Sequence, residues 1–298
     1  MKRAVIAEPA PAPPGTAGVA GKATEGPRSQ PLAGFAVYAA AVFVVAWILW
    51  YAADLVSRQL GAGFGVRSIL YLPGTFAPAM VALAFAFRRV SDARSLLASV
   101  THWNVRLGWY AFALVFMAGV KLLAASAHRI LVGSWPEFGT VPLVLMFGAA
   151  LISAPFQVGE ELGWRGYALP LLMKRFGVAA AGLLLGLVWA LWHLPLFFLP
   201  GADMVGQPLP VFVISVTALS VVMAVVWHRT GGSLPVLMLM HAAVNNTTGV
   251  VPAGGLVADQ FSLQATPMAW LTAGILSSAA VVAAALPSPA NARGATMS

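Results

Sequence analysis

Apolar residues run through this chain in long blocks, separated by short polar or Gly- and Pro-bearing breaks. Eight blocks are legible, at about 35–56, 68–88, 107–131, 141–172, 178–199, 209–228, 234–251 and 267–286. An α-helix rises about 1.5 Å per residue, so roughly 20 apolar residues cross about 30 Å of hydrocarbon. The pattern predicts an all-α integral membrane protein with about eight transmembrane helices. The breaks carry turn formers such as Gly61, Gly63, Gly65, Pro200 and Gly201. The third block is the weakest, because Lys121 sits inside it and Ala124 to Arg129 is only mildly apolar. Lys121 is expected to snorkel toward an interface. No internal repeat is visible.

The blocks divide the chain into three parts. Residues 1–31 are rich in Ala, Pro and Gly, and cannot bury enough apolar surface to offset chain entropy, so they read as a disordered tail. They do not read as a signal peptide, since the first apolar run starts only near Phe35 and is too long. Residues 32–286 form the polytopic membrane domain, and 287–298 a second short disordered tail.

Composition agrees with a lipid solvent. The 298 residues are 60% hydrophobic and 9% charged, with a mean hydropathy of +0.85. A soluble chain of this length would carry about 75 charged residues, against 17 basic and nine acidic here. That excludes an ordinary soluble domain. With no cysteine, disulfide frameworks, thiolate zinc sites and a cysteine nucleophile drop out. The net charge of +8 reads as cytoplasmic-loop lysine and arginine, so no nucleic-acid partner is expected. With the N-terminus inside, alternate segments hold 13 basic residues inside and three outside. Both termini are therefore expected in the cytoplasm of a cell-membrane protein, as an even number of helices requires.

The acidic residues point to chemistry. Seven of the nine lie in the tail, in loops or near helix ends, which leaves the adjacent Glu160 and Glu161 inside a spanning block. An intramembrane carboxylate costs roughly 3 kcal/mol to insert, so it is a functional candidate by default. Glu161 and Arg165 are four residues apart, share a helix face and are expected to form an ion pair. Glu160 is turned about 100° away and must address other partners. A purely bracing role for both glutamates, satisfying Arg165, is the alternative.

Histidine supplies the second signal. His102, His128 and His228 fall in loops or at helix ends, whereas His193 and His241 lie within apolar blocks. His241 and Asn245 share a face at i,i+4, and Trp189 and His193 repeat that spacing one block earlier. Counted from the basic hairpin at Lys174–Arg175, Glu160 lies roughly 21 Å deep and His193 roughly 27 Å. Counted from Arg229, His241 and Asn245 lie roughly 18 and 24 Å deep. Four polar groups on three helices thus fall near one level, which predicts an intramembrane polar cavity enclosed by the helices. Pro155 and Pro195 each break helix bonding close to these residues, as lining a cavity permits.

A carboxylate in a poorly solvated pocket is a stronger base than one in water. It can activate a water that a neighbouring histidine shares, while a His/Asn pair donates to an oxyanion. A metal variant is equally drawable, with Glu160, His193 and His241 as zinc ligands and a position left for water. Other membrane-protease chemistries fail by residue. There is no HExxH and no intramembrane aspartate pair, and Gly231-Gly232-Ser233 lies at a cytoplasmic hairpin.

Glu160-Glu161-xxx-Arg165, Trp189-xxx-His193 and His241-xxx-Asn245, in that order, resemble the three signatures of the CPBP (ABI) intramembrane protease family, the type II CAAX prenyl protease-like proteins. The resemblance covers about 147–248, from Phe147 to Thr248. The family usually has Phe where this chain has Trp189, a departure expected to affect mainly packing. The resemblance implies an eight-helix intramembrane endopeptidase acting on a membrane-associated, prenylated or leader-type peptide. It implies Glu160 as the water-activating base assisted by His193, with His241 and Asn245 at the oxyanion and Glu161 and Arg165 in support. Family members are described both as metalloproteases and as metal-free glutamate enzymes; the metal-free version is favoured here, with zinc as the alternative cofactor. Two further readings compete. One is a non-catalytic bacteriocin-immunity or scaffold protein that uses the same residues to brace its helices. The other is a proton-coupled transporter with Glu160 as carrier, which the absence of repeat symmetry disfavours.

Overall fold

The computed structural model describes residues 30–88, 90–247 and 259–287. Most of both expected tails therefore lies outside the described residues, as does the end of the seventh block. Among the described residues all regular structure is helical. In chain order the helices are α1 (Gln30–Gln59), α2 (Phe64–Thr75), α3 (Ala77–Ala86), α4 (Val90–Val100), α5 (Leu107–Val132) and α6 (Leu143–Ser153). A 3-10 turn (Ala154–Gln157), a single α-turn, α7 (Val158–Glu161), and a π-helical stretch (Leu162–Ala168) lead into α8 (Leu169–Trp192). After a 3-10 turn at Leu194–Phe197 come α9 (Leu209–Arg229), α10 (Leu234–Asn246) and α11 (Pro267–Ala285).

Six helical stretches are long and apolar enough to cross a membrane, which makes this a multi-pass membrane protein. The sequence pattern predicts eight, and two features account for the difference. The fourth and fifth blocks run into one 50-residue stretch, Leu143–Trp192. Within it Gly177 takes φ 76° and ψ 178°, a conformation open to glycine because it lacks Cβ, and this breaks α8 at the expected hairpin beside Lys174 and Arg175. The seventh block is helical over Leu234–Asn246, 13 residues, or about 20 Å. The second block also breaks, into α2 and α3 at Phe76. The pattern misses α4, an 11-residue helix in a basic loop that is too short and polar to register as a block.

Helix α1 shows how the bundle sorts its surface. Phe35, Tyr38, Val42, Ala46, Trp50, Ala53 and Ser57 are buried, at steps of three or four, while Val37, Val44, Ile48 and Leu55 are exposed. Both faces are apolar, as expected where lipid replaces water on the outside. What distinguishes the inner face is shape: it interlocks with its neighbours. The Trp50 indole donates to the Tyr71 carbonyl at 3.0 Å, and the Tyr38 hydroxyl to the Pro78 carbonyl at 3.1 Å.

Glycines set the closest helix approaches. Gly182 and Gly186 of α8 face α9, where an added Cβ would lie 2.9 Å from the Val221 Cα and 2.7 Å from the Thr217 Cα respectively. With no gain from hiding apolar surface within lipid, such small-residue packing holds helices together. Gly163, in the π-helical stretch, presses on α3: an added Cβ would lie 2.4 Å from both the Pro78 carbonyl carbon and the Tyr38 hydroxyl oxygen. Gly163→Ala should therefore overpack this junction and cost about 1–3 kcal/mol. Thermal unfolding in detergent checks it, with Gly119→Ala, which meets nothing within 4 Å, as the control.

Candidate active site

The chain between α6 and α8 carries both glutamates, and it is not a plain helix. Pro155 sits in the 3-10 turn before them, and the π-helical stretch follows at once. π-helical insertions in α-helices recur at functional sites because they re-aim side chains. The glutamates themselves lie in the intervening α-turn, where successive residues project about 100° apart and so face different partners. Glu161 is fully buried. Its Oε1 accepts from Arg165 Nη1 at 2.9 Å and from His241 Nδ1 at 2.8 Å. The expected Glu161–Arg165 ion pair is thus present, extended to a third helix by His241. Glu160 points elsewhere and its Oε2 accepts from the Trp189 indole N–H at 2.8 Å.

Trp189 is the residue that sequence reasoning undervalued. It was expected to matter for packing, yet its N–H holds the Glu160 carboxylate and its ring face carries the Arg165 guanidinium, 4.1 Å away. A phenylalanine could supply only the second contact. The signal was present in the residue type, since a buried indole seeks an acceptor, but finding the acceptor needs the fold.

His193 ends α8, where Pro195 converts the chain to a 3-10 turn. Its Nδ1 lies 2.8 Å from the Trp189 carbonyl oxygen. A carbonyl only accepts, so Nδ1 carries the proton and Nε2 keeps its lone pair. For His241, bonding of Nδ1 to Glu161 leaves Nε2 as the ring atom available to another partner. His241 and Asn245 sit one turn apart on α10. The neighbouring Asn246 donates to Ser153 Oγ at 3.0 Å, tying α10 to the end of α6.

Glu160, His193, His241 and Asn245 all line one pocket of about 680 Å³. Glu161 and Arg165 are absent from its lining and lie behind it, fully buried. Lys121 also belongs to the wall, contrary to the snorkelling expected of it. It is 6% exposed, and its Nζ has no hydrogen-bond partner among the described residues. The depth ruler could have found it: Lys121 lies 15 residues from Arg106, about 22 Å, at the level of the other four groups. As for a metal, no group of three or more His, Asp or Glu side chains is placed to hold an ion among the described residues.

The fold and pocket define a polytopic all-α membrane protein with a Glu, two His and an Asn lining one pocket. Comparison with known proteins agrees with the motifs. Residues 140–247 match the family described as type II CAAX prenyl endopeptidase Rce1-like. The chain is also 29% identical over 177 residues to CAAX prenyl protease 2 of Methanococcus maripaludis, an alignment covering 54% of this chain. It spans 62% of that relative's length. Through this region the chain is similar to the Rce1-like CAAX proteases.

Proposed function

We propose that the protein is an intramembrane endopeptidase that hydrolyses a peptide bond of a membrane-associated peptide with a glutamate-activated water. The observation that carries the reading is the convergence of Glu160, His193, His241 and Asn245, from three separate stretches of chain, on one pocket. The match to the Rce1-like family model and the likeness to a CAAX prenyl protease support it. The arrangement suggests one role for each group. The Trp189 indole holds Oε2 of Glu160, leaving Oε1 to take a proton from water. His193, protonated on Nδ1, offers its Nε2 lone pair to the same water and orients it. Attack on the scissile carbonyl puts negative charge on its oxygen, which the Asn245 amide and, with the ring held as imidazolium by Glu161, the His241 Nε2–H are suited to receive. Glu160 then returns the proton to the leaving amine, so the step balances without a further donor. Glu161 and Arg165 hold the His241 ring and the Trp189 ring in place from behind. In this reading the pocket is a hydrated cavity in the cell membrane, and the basic-residue bias puts both termini in the cytoplasm.

A cleavage assay on protein reconstituted in lipid tests the proposal, with and without chelator, using Glu160→Ala as control. Cleavage should persist in chelator and vanish in the variant. Full activity in Glu160→Ala protein overturns the reading, and a chelator-induced loss restored only by a divalent metal overturns the metal-free chemistry.

Trp189→Phe tests the positioning of Glu160. The variant keeps an aromatic face for Arg165 and removes only the indole donor to the carboxylate. Loss of a hydrogen bond to a charged group predicts roughly tenfold slower turnover. The fall should appear in kcat rather than KM, in protein that still folds. An unaltered kcat would show that the indole does not position the base.

A further inference from the structure

One group in the pocket wall has no part in the hydrolysis outlined above. Lys121 projects from the middle of α5, where an interface is too far for snorkelling: about 22 Å of helix separates it from Arg106 and about 16 Å from Val132. It is 6% exposed, and neither pocket-lining carboxylate, Glu160 or Asp203, pairs with it. Its Nζ is occluded and has no hydrogen-bond partner among the described residues. The other buried cation near the pocket, Arg165, is satisfied by Glu161. A buried ammonium without an anion is costly. Its presence in the wall of a binding cavity makes sense if the anion arrives with the ligand.

Resting on the endopeptidase reading, the geometry points to Lys121 as the anchor for a carboxylate of the bound peptide, supplied either by its free C-terminus or by an Asp or Glu side chain. The four-carbon stem lets the ammonium swing from its occluded position into the pocket. There it offers three donors to a carboxylate that has left water, where charge-assisted hydrogen bonds are strongest. The anchor is fixed on α5, whereas the reacting groups stand on α7, α8 and α10. It therefore selects where along a peptide the cut falls without touching the scissile bond. Lys121 is in this sense a residue for specificity, reading charge at one end of the ligand.

The experiment measures binding to full-length Glu160→Ala protein in lipid nanodiscs, so that turnover does not intrude. Three fluorescein-labelled apolar octapeptides serve as probes: one with a free C-terminus, its C-terminal amide, and the amide with Glu as last residue. The free-acid peptide, the Glu-bearing amide, or both should bind at least about tenfold tighter than the plain amide, the worth of one charge-assisted hydrogen bond. Whichever gains identifies the source of the carboxylate. Adding Lys121→Met should erase the gain, and Lys121→Arg should keep most of it. If neither carboxylate peptide binds more tightly than the plain amide, whether all bind alike or none binds, the anchor is overturned. A gain that survives Lys121→Met in folded protein overturns it equally. The comparison among peptides on a Lys121-containing protein stands even if Lys121→Met fails to fold. A protein that shows the carboxylate gain yet never cleaves keeps the anchor and loses the protease. One that cleaves free-acid and amide peptides with equal KM keeps the protease and loses the anchor.

Discussion

Glu160→Gln should abolish peptide cleavage while leaving the protein folded. Gln has the volume of Glu and an amide oxygen that can still accept from the Trp189 indole, which lies 2.8 Å from the native carboxylate. The variant therefore keeps the local geometry and removes one property, the capacity to take a proton. General-base catalysis contributes about 10²–10⁴-fold, and the rate should fall by at least that much. Unfolding in detergent should be nearly unchanged, because Glu160 takes no part in the buried ion pair. Single-turnover cleavage beside a thermal melt separates the two quantities. A Glu160→Gln protein that cleaves at the wild-type rate would remove Glu160 from the chemistry. One that supports a biological function but never cleaves would favour the immunity or scaffold alternative.

Arg165→Met should show the opposite signature, a loss of stability that drags activity with it. Arg165 and Glu161 are both fully buried and 2.9 Å apart. The guanidinium also stacks on Trp189 at 4.1 Å and donates to the Met223 sulfur at 3.3 Å. Removing the cation leaves the Glu161 carboxylate buried with His241 as its remaining partner, and Oε2 already has none among the described residues. Breaking a buried pair from one side costs about 3–5 kcal/mol, chiefly the cost of the stranded charge. Pairing Arg165→Met with Glu161→Gln should recover much of that loss, since both charges then go together. Arg165→Lys should rescue poorly, because a compact ammonium cannot both stack on the indole and reach the carboxylate as the planar guanidinium does. Denaturant unfolding in detergent reads all three. If Arg165→Met protein unfolds like the wild type, the buried pair does not support the site.

Two proximities among the site residues could be read from the chain, each between residues four apart on one helical run. Glu161 with Arg165 and His241 with Asn245 are each four residues apart, and helical geometry alone puts such pairs on one face. The separation of Glu160 from Glu161 was legible for the same reason. The contact between Glu161 and His241 was not, since 80 residues of chain lie between them. Nor was the bond from Trp189 to Glu160, across 29 residues. Depth counting brought four groups to a common level but could not say which way each faces. It placed Lys121 no less well, yet a lone lysine in an apolar block is more simply read as snorkelling until a wall is seen around it.

By itself the sequence determined the solvent and the architecture: scarce charge and blocks of about 20 apolar residues require a helical bundle in lipid. It also determined which residues could do chemistry, because polar groups are too costly in hydrocarbon to be placed there without purpose. Tertiary structure alone decided how helices join and where side chains converge. The break at Gly177, the short α10 and the π-helical stretch after Glu161 depend on packing against neighbours, which no local pattern records. The pairing of His241 with Glu161, the grip of Trp189 on Glu160 and the place of Lys121 in the same wall, unpaired among the described residues, arise from contacts distant in sequence. Periodicity along one helix carries no information about the angle at which another helix meets it.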